Sequence, residues 1–453
     1  MFGYRYEEGF LTHLLNFIRA ETPVEHETTL SSLSLFSGAG ISDIGYEQAG
    51  FHTVVRSELN DDRCEIASPN FPNAETIRGD IGERTHEIIS AYQQSEYDEL
   101  VLMTVTPPCQ GMSSSNPARG RMGDISRRDA RNRLMLDACP IINALEPRFI
   151  VIENVGMILK EKVEEDGEEH LVINLFHERI GGEETYRLFS TVLQLADYGI
   201  PQNRKRALIV AIRHDEACLD YLDQNGLYPW PKATHGEQFT EEVESWITAG
   251  QWFESMNYSS LDSLTEEAAH DSNDPLHFVP NYEREPFRYE WIAGIPKCSG
   301  LSAYSNDNCP ECEKSGIDDS LAHCPYCNAE LTNRPYVREK DGTFRLIKGY
   351  STAYRRIPVN RPVPTITTSS SHLGSNYKIH PWENRVLSIR ECADLQTVPY
   401  FFNWDWAIET EHAYVIRQAI GEALPSYFAY LQGMIIRNLA ENNQEYLDYL
   451  API

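Results

Sequence analysis

Leu100-Val101-Leu102-Met103-Thr104-Val105-Thr106-Pro107-Pro108-Cys109-Gln110-Gly111 is the stretch on which the fold turns. The apolar run Leu100 to Val105 predicts a buried strand, and the two prolines end it because proline brings no N–H to a ladder. A cysteine is thereby presented where a parallel strand finishes. In open α/β sheets ligands bind in the crevice beyond the carboxyl ends of the strands, so a thiol held there by a rigid turn is a candidate nucleophile. Read alone, Cys109 is equally a small buried hydrophobe. A second strand-like run, Phe149 to Ile152, ends in Glu153-Asn154-Val155 and brings a carboxyl group to the same edge.

Working outward, strand-like and helix-like segments alternate through the first half: Leu33 to Phe36, Ser42 to Ala49, Thr53 to Ser57, Glu83 to Gln93, Ala130 to Leu145 and Ala207 to Ile212. That alternation predicts a doubly wound, Rossmann-like α/β domain. From about Asp215 to Tyr377 the pattern dissolves into short aromatic, acidic and proline-punctuated pieces, as expected of an inserted smaller domain. Helical periodicity resumes at Ser388 to Leu395 and from Ala413 onward. The expected organisation is a helical extension over 1–32, the α/β domain over 33–214, the inserted domain over 215–407, and C-terminal helices over 408–453 that return to the α/β domain.

Ser34-Leu35-Phe36-Ser37-Gly38-Ala39-Gly40 is a strand running into a glycine-rich turn, where missing side chains let a cofactor approach the backbone. The third glycine of the dinucleotide fingerprint is replaced by Asp43, which weakens a nicotinamide or flavin reading. Glu58 ends the next strand-like run, about 20 residues after Gly38, where an acid can take ribose hydroxyls. Asp80 in Gly79-Asp80-Ile81 is placed to receive an adenine amino group. Each acid could equally cap a helix, but three such features in order favour an adenosyl cofactor.

The chain has 453 residues, 41% hydrophobic and 24% charged, enough for two or three domains. Its formal charge of −29 opposes indiscriminate binding to phosphate-rich partners. The average hides two basic clusters: Arg119, Arg121, Arg127, Arg128, Arg131 and Arg133 after the candidate nucleophile, and Arg334 to Arg361. These shift the expectation toward an anionic substrate met at a defined face. No apolar run reaches the roughly 18 residues that span a bilayer, so no membrane partner is expected and the expected location is cytoplasmic.

Cys309-Pro310-Glu311-Cys312 and Cys324-Pro325-Tyr326-Cys327 have the spacing of a four-cysteine zinc ribbon around 298–330. Four thiolates fill a tetrahedral zinc, so its expected role is structural. Cys298 and His323 are expected bystanders.

On these residues the chain resembles the DNA cytosine-5 methyltransferase family, with six motifs in the family's order. Leu35 to Gly40 resembles the S-adenosylmethionine loop, Pro107-Pro108-Cys109-Gln110 the nucleophile loop, Glu153-Asn154-Val155 the acid, and Gln202-Asn203-Arg204-Lys205-Arg206 the QxRxR element. Arg385 to Gln396 resembles the RxLTxRExARLQ segment and Gly421-Glu422-Ala423-Leu424-Pro425 the GNAVP motif. Ser34 stands for a usual Asp, Thr106 for a Gly and Glu422 for an Asn. The resemblance implies S-adenosylmethionine bound by Phe36, Ser37, Gly38, Ala39, Gly40, Glu58, Leu59, Asp80, Ile81, Pro108, Glu422 and Ala423. It implies catalysis by Cys109, Glu153, Arg204 and Arg206, and a target-recognition role for the inserted domain.

The implied chemistry is thiolate addition by Cys109 to cytosine C6 while Glu153 protonates N3, which makes C5 nucleophilic toward the sulfonium methyl group. Neighbouring cations would favour the thiolate, and Arg206 would contact the base O2 and steady the acid. The base must be swung out of the duplex, and Ser113 to Arg131 reads as the loop that closes over it. The expected partner is double-stranded DNA, met by a monomer, with a cognate restriction endonuclease as a second expectation. A transfer-RNA methyltransferase and a catalytically silent DNA-binding regulator are the alternatives.

Overall fold

The computed structural model describes residues 9–108, 133–347, 353–374, 377–410, 412–443 and 449–452. Its centre is a seven-stranded sheet. In chain order the strands are β1 (Leu30–Leu35), β2 (Phe51–Glu58), β3 (Glu75–Arg78), β4 (Leu102–Val105), β5 (Phe149–Asn154), β6 (Tyr186–Gln194) and β7 (Lys205–Arg213). The spatial order is β3-β2-β1-β4-β5-β7-β6. β1 to β5 run parallel, whereas β7 runs antiparallel to both β5 and β6. The central parallel strands β4 and β5 are buried along their whole length, which explains their apolar runs.

Helices α2 (Ile41–Gln48), α3 (Asp61–Ala67) and α4 (Ile81–Gln93) follow β1, β2 and β3. Asn60 and Asp80 start α3 and α4 as side-chain caps, accepting from Arg63 N and Gly82 N. One apolar cluster fills one side of the sheet and a second the other. The first cluster includes Leu14 and Ile18 of α1 (Phe10–Ile18), and Phe17 meets Tyr427 edge-on at 5.2 Å. It also takes in Leu387, Ile389 and Val398, which the sequence reading placed in the inserted domain. The closing helices are α5 (Ile389–Leu395), α6 (Ala413–Glu422) and α7 (Ser426–Ala440). Ser388 and Glu391 form a capping box at the start of α5.

A separate small core, with Tyr282, Trp291, Ile292, Ile379 and Val386, holds the inserted segment together, and a satellite of Cys309, Cys324, Ile317 and Leu331 lies beyond it. No helix among the described residues is long and apolar enough to cross a membrane.

Candidate active site

Where β1 ends, the backbone turns sharply. Phe36, Gly38 and Gly40 have φ of 57°, 53° and 81°, the left-handed region that glycine adopts freely and a bulky side chain only at a cost. A side chain at Gly40 would strike the Phe71 ring at 2.3 Å, so that glycine is required by packing. At Gly38 a Cβ would meet nothing within 4 Å, which leaves an open cradle above the loop. Ser37 Oγ is buried there without a hydrogen-bond partner among the described residues. The cradle and the orphaned hydroxyl fit the close approach of a cofactor.

Ser34, which departs from the family motif, meets Asp43 beneath this loop. Ser34 Oγ donates to Asp43 Oδ1 at 2.9 Å, and Arg56 Nε lies 3.3 Å from Asp43 Oδ2. Burial raises the Asp43 carboxyl, and Arg56 pulls it back down. Arg56 Nη2 also donates to the Gly38 carbonyl at 3.2 Å. The acid absent at position 34 is thus restored from position 43 and neutralised from β2.

The other cofactor candidates differ in exposure and in partners. Glu58 Oε2 accepts from Gly38 N and its Oε1 from Asn60 N, both at 2.8 Å. Leu59 beside it is 68% exposed, an apolar shelf bare to solvent. Asp80 is exposed and occupied with its capping bond to Gly82, while Ile81 and Ala39 are buried. Pro108 is exposed at the last described residue of the turn. Glu422, the last residue of α6, pairs with Arg63 at 3.1 Å, and Ala423 follows it partly buried.

Cys109 and the loop Ser113 to Arg131 lie outside the described residues. What leads to Cys109 is fixed from two sides. Thr106 Oγ1 donates to the Phe36 carbonyl at 2.9 Å, and buried Asn154 donates from Nδ2 to the Pro107 carbonyl at 2.9 Å. Asn154 is a positioning residue that the sequence reading passed over. Its only signal was its place directly after the acid.

Glu153 is 8% exposed and Arg206 Nε lies 2.6 Å from its Oε1. The contact is ionic but not aligned as a hydrogen bond, so Oε1 keeps its bonding capacity. The antiparallel run of β7 makes the meeting possible, because it brings the beginning of that strand to the edge where β5 ends. Arg204 does something else. It is fully buried and donates to the carbonyls of Ile366 (3.0 Å), Gly421 (3.1 Å) and Ala423 (2.7 Å). It therefore anchors the α6 terminus to the sheet edge, a positioning role in place of the expected contact with reacting groups. Gln202 and Gln396 complete that anchor through a 2.7 Å bond, and Gln396 also donates to the Ala423 carbonyl.

The four ribbon cysteines come together, with all sulfurs within 4.8 Å of one another. Cys309–Cys327 and Cys312–Cys324 are each 3.6 Å apart, close to the ~3.8 Å edge of a tetrahedron with zinc–sulfur bonds of ~2.3 Å. The two halves share one geometry. Glu313 N donates to Cys309 O and Asn328 N to Cys324 O, and both residues have positive φ. This donor set fits a structural zinc ion. Cys298 and His323 fall outside the set.

The basic run beyond the ribbon needs correction as a phosphate-binding face. Arg334 is buried and donates to the carbonyls of Asn306, Ile317, Asp318 and Leu321. Arg356 is fully buried and donates to those of Ile292, His380 and Glu383. Arg338 and Arg345 pair with Glu330 and Glu339. Guanidinium groups with five donors were recruited to pin irregular backbone, which net charge along a sequence does not reveal.

Comparison with known proteins agrees with the geometry. A model of C-5 cytosine-specific DNA methylases matches residues 30–431. Type II methyltransferase M1.HgaI of Avibacterium volantium is 29% identical over 409 residues, covering 87% of this chain and 95% of its own length. Type II methyltransferase M.DdeI of Desulfomicrobium norvegicum is 25% identical over 88% of this chain and 86% of its own. A prophage-encoded E. coli structure described as a DNA modification methyltransferase superposes with a TM-score of 0.51 at 20% identity, covering 91% of this chain and all of that one, and shows the same fold.

Proposed function

The chain belongs to the C-5 cytosine-specific DNA methylase family, and from that premise we propose that it methylates one flipped-out cytosine in a specific duplex sequence through a covalent bond from Cys109 to C6. The observation that carries this reading is the buried Glu153–Arg206 pair at the same edge as the clamped Pro107 turn. Cys109 adds to C6 and breaks the C5–C6 double bond. Glu153 gives its proton to N3, with Arg206 holding the carboxyl in place. C5 becomes the nucleophile. S-adenosylmethionine, cradled by Phe36 to Gly40 and Glu58, supplies the electrophilic methyl group. Loss of the C5 proton to solvent then expels Cys109 as a thiolate, and return of the N3 proton to Glu153 regenerates the neutral aromatic base and the enzyme.

Extrusion of the base costs a few kcal/mol, and the inserted domain with its zinc ribbon is read as the part that selects the site. DNA as the substrate, with a cognate endonuclease as partner, accords with relatives that are named Type II methyltransferases, and the enzyme is read as acting as a monomer. Duplex DNA with 5-fluorocytosine at the target cannot release a C5 proton. With S-adenosylmethionine it should attach irreversibly to the protein at Cys109, and Cys109→Ser should abolish the adduct while still binding the site. An adduct mapped to Cys139, or methyl transfer to transfer RNA in preference to DNA, would replace this reading.

A further inference from the structure

We propose that a cavity at the foot of the cysteine ribbon receives an arginine side chain of a partner protein, with Asn306, Asp307 and Glu313 as its acceptors. The inference goes beyond the methylation chemistry above and is independent of it.

The ribbon's own surface is set against phosphate. From Gly300 to Asn333 the chain carries six carboxylates, Asp307, Glu311, Glu313, Asp318, Asp319 and Glu330, against one permanently charged base, Lys314. Glu330 is paired with Arg338. The other five are exposed and enter no ion pair among the described residues. Arg334 lies beneath them, but its guanidinium is buried and donates to four carbonyls. Such a face repels a nucleic acid and draws in a cation. The ribbon can brace the inserted domain without touching DNA itself.

The cavity has a volume of about 560 Å³, and its wall includes Leu301, Asn306, Asp307, Asn308, Glu313 and Ser315. Asn306 is 2% exposed, and both donors of its amide are spent: Nδ2 donates to the Trp291 carbonyl at 3.0 Å and to the Asn333 carbonyl at 2.6 Å. Those bonds fix the orientation of the amide and leave Oδ1 buried without a partner among the described residues. Gly294 stands in the same wall, and a Cβ there would lie 2.6 Å from Nδ2 and 3.1 Å from Cγ of Asn306. The missing side chain brings the amide to the cavity, where its unmet acceptor calls for a donor.

A metal ion does not answer to this set. Among the described residues, the four cysteines are the one group of three or more acidic, histidine or cysteine ligands at ion-binding distance. Acceptors spread over a wall suit instead the planar fork of a guanidinium, which offers five donors. Leu301, in the wall, is 44% exposed. Leu321 is 38% exposed, and its carbonyl is held by the same Arg334 guanidinium that holds the Asn306 carbonyl. Bare apolar side chains around a polar cavity have the make-up of a protein interface anchored by an arginine, which a small polyamine would leave uncovered.

Fluorescence anisotropy on the full-length protein tests this with a labelled, capped Gly-Leu-Arg-Leu-Arg-Gly peptide at fixed ionic strength. Wild type should bind it, and the same peptide with lysine for arginine several-fold more weakly. Asp307→Asn combined with Glu313→Gln should weaken the arginine peptide by about tenfold or more. Asparagine at 307 keeps an acceptor for Gly316 N, so the local turn survives. Glu241→Gln combined with Glu242→Gln, at exposed acids elsewhere in the inserted segment, should bind like wild type. Wild type that fails to bind at millimolar peptide overturns the proposal. Equal losses in the two double variants overturn it by reducing the effect to net charge, and equal affinity for the lysine peptide does so by removing the guanidinium. Spermidine that binds more tightly than the peptide would make this a polyamine site, and weaker duplex binding by Asp307→Asn with Glu313→Gln would give the face to DNA; either result replaces the protein partner.

Discussion

Thr106 Oγ1 donates to the Phe36 carbonyl at 2.9 Å, joining the strand end before the nucleophile to the cofactor loop. Phe36 holds a positive φ that a bulky side chain disfavours. The bond supports that conformation from the neighbouring strand. Thr106→Val keeps the shape and removes the donor. It should cost about 1 kcal/mol, seen as a several-fold weaker affinity for S-adenosylhomocysteine, with Thr106→Ser close to wild type. Equal affinities for all three proteins would show that the loop needs no such support.

The ribbon should carry about one zinc ion per chain, because its sulfurs already stand at tetrahedral spacing. Cys312→Ser should release the ion and loosen residues 307–331 to proteolysis, while nucleoside binding at the distant cradle persists. Elemental analysis of protein purified without added metal decides the first point. Finding disulfides and no metal would end the assignment.

Arg356→Ala should destabilise the protein severely, by about 3 kcal/mol or more, because it leaves buried carbonyls of Ile292, His380 and Glu383 without their donor. By contrast, exposed Lys340 and Arg361 are free to meet phosphate. Their alanine variants should melt like wild type and each lower the salt slope of DNA affinity by about 0.9. A normal melting temperature for Arg356→Ala would return that residue to the surface role.

The central strands β4 and β5 were legible because burial on both faces writes a continuous apolar run, as in Phe149 to Ile152. β6 was not, since this edge strand mixes buried and exposed positions without strict alternation, and β3 is too short to leave a pattern. In the site, Glu153 and the ribbon cysteines announced themselves by local spacing. Arg63 and Asn154 did not. Their roles depend on partners far away in sequence or on a backbone carbonyl, and neither leaves a mark on residue type. Arg334 and Arg356 misled for the same reason: a cation that binds carbonyls looks, in sequence, like one that binds phosphate.

Asp394 gives a prediction for pH. It is wholly buried on α5, with Tyr258 donating to its Oδ2 at 2.9 Å. Burial drives its carboxyl up to about 7, against the opposing pull of Arg390 and the Tyr258 hydrogen bond. The ordinary value is 3.8, so between these limits the folded state binds a proton that the unfolded state has lost. Stability from this group is therefore complete below pH ~4 and drains away as pH rises toward 7, at up to ~1.4 kcal/mol per unit. Glu391, lowered to about 2 mainly by the Arg385 charge against the cost of its burial, acts only at more acid pH and leaves this window clear. Asp394→Asn keeps an acceptor for Tyr258 and cannot titrate. Relative to wild type, its melting temperature should gain from pH 5 to about pH 7 and level off above it, at fixed ionic strength. Parallel curves for the two proteins across that range would mean that Asp394 stays ionised in the folded chain.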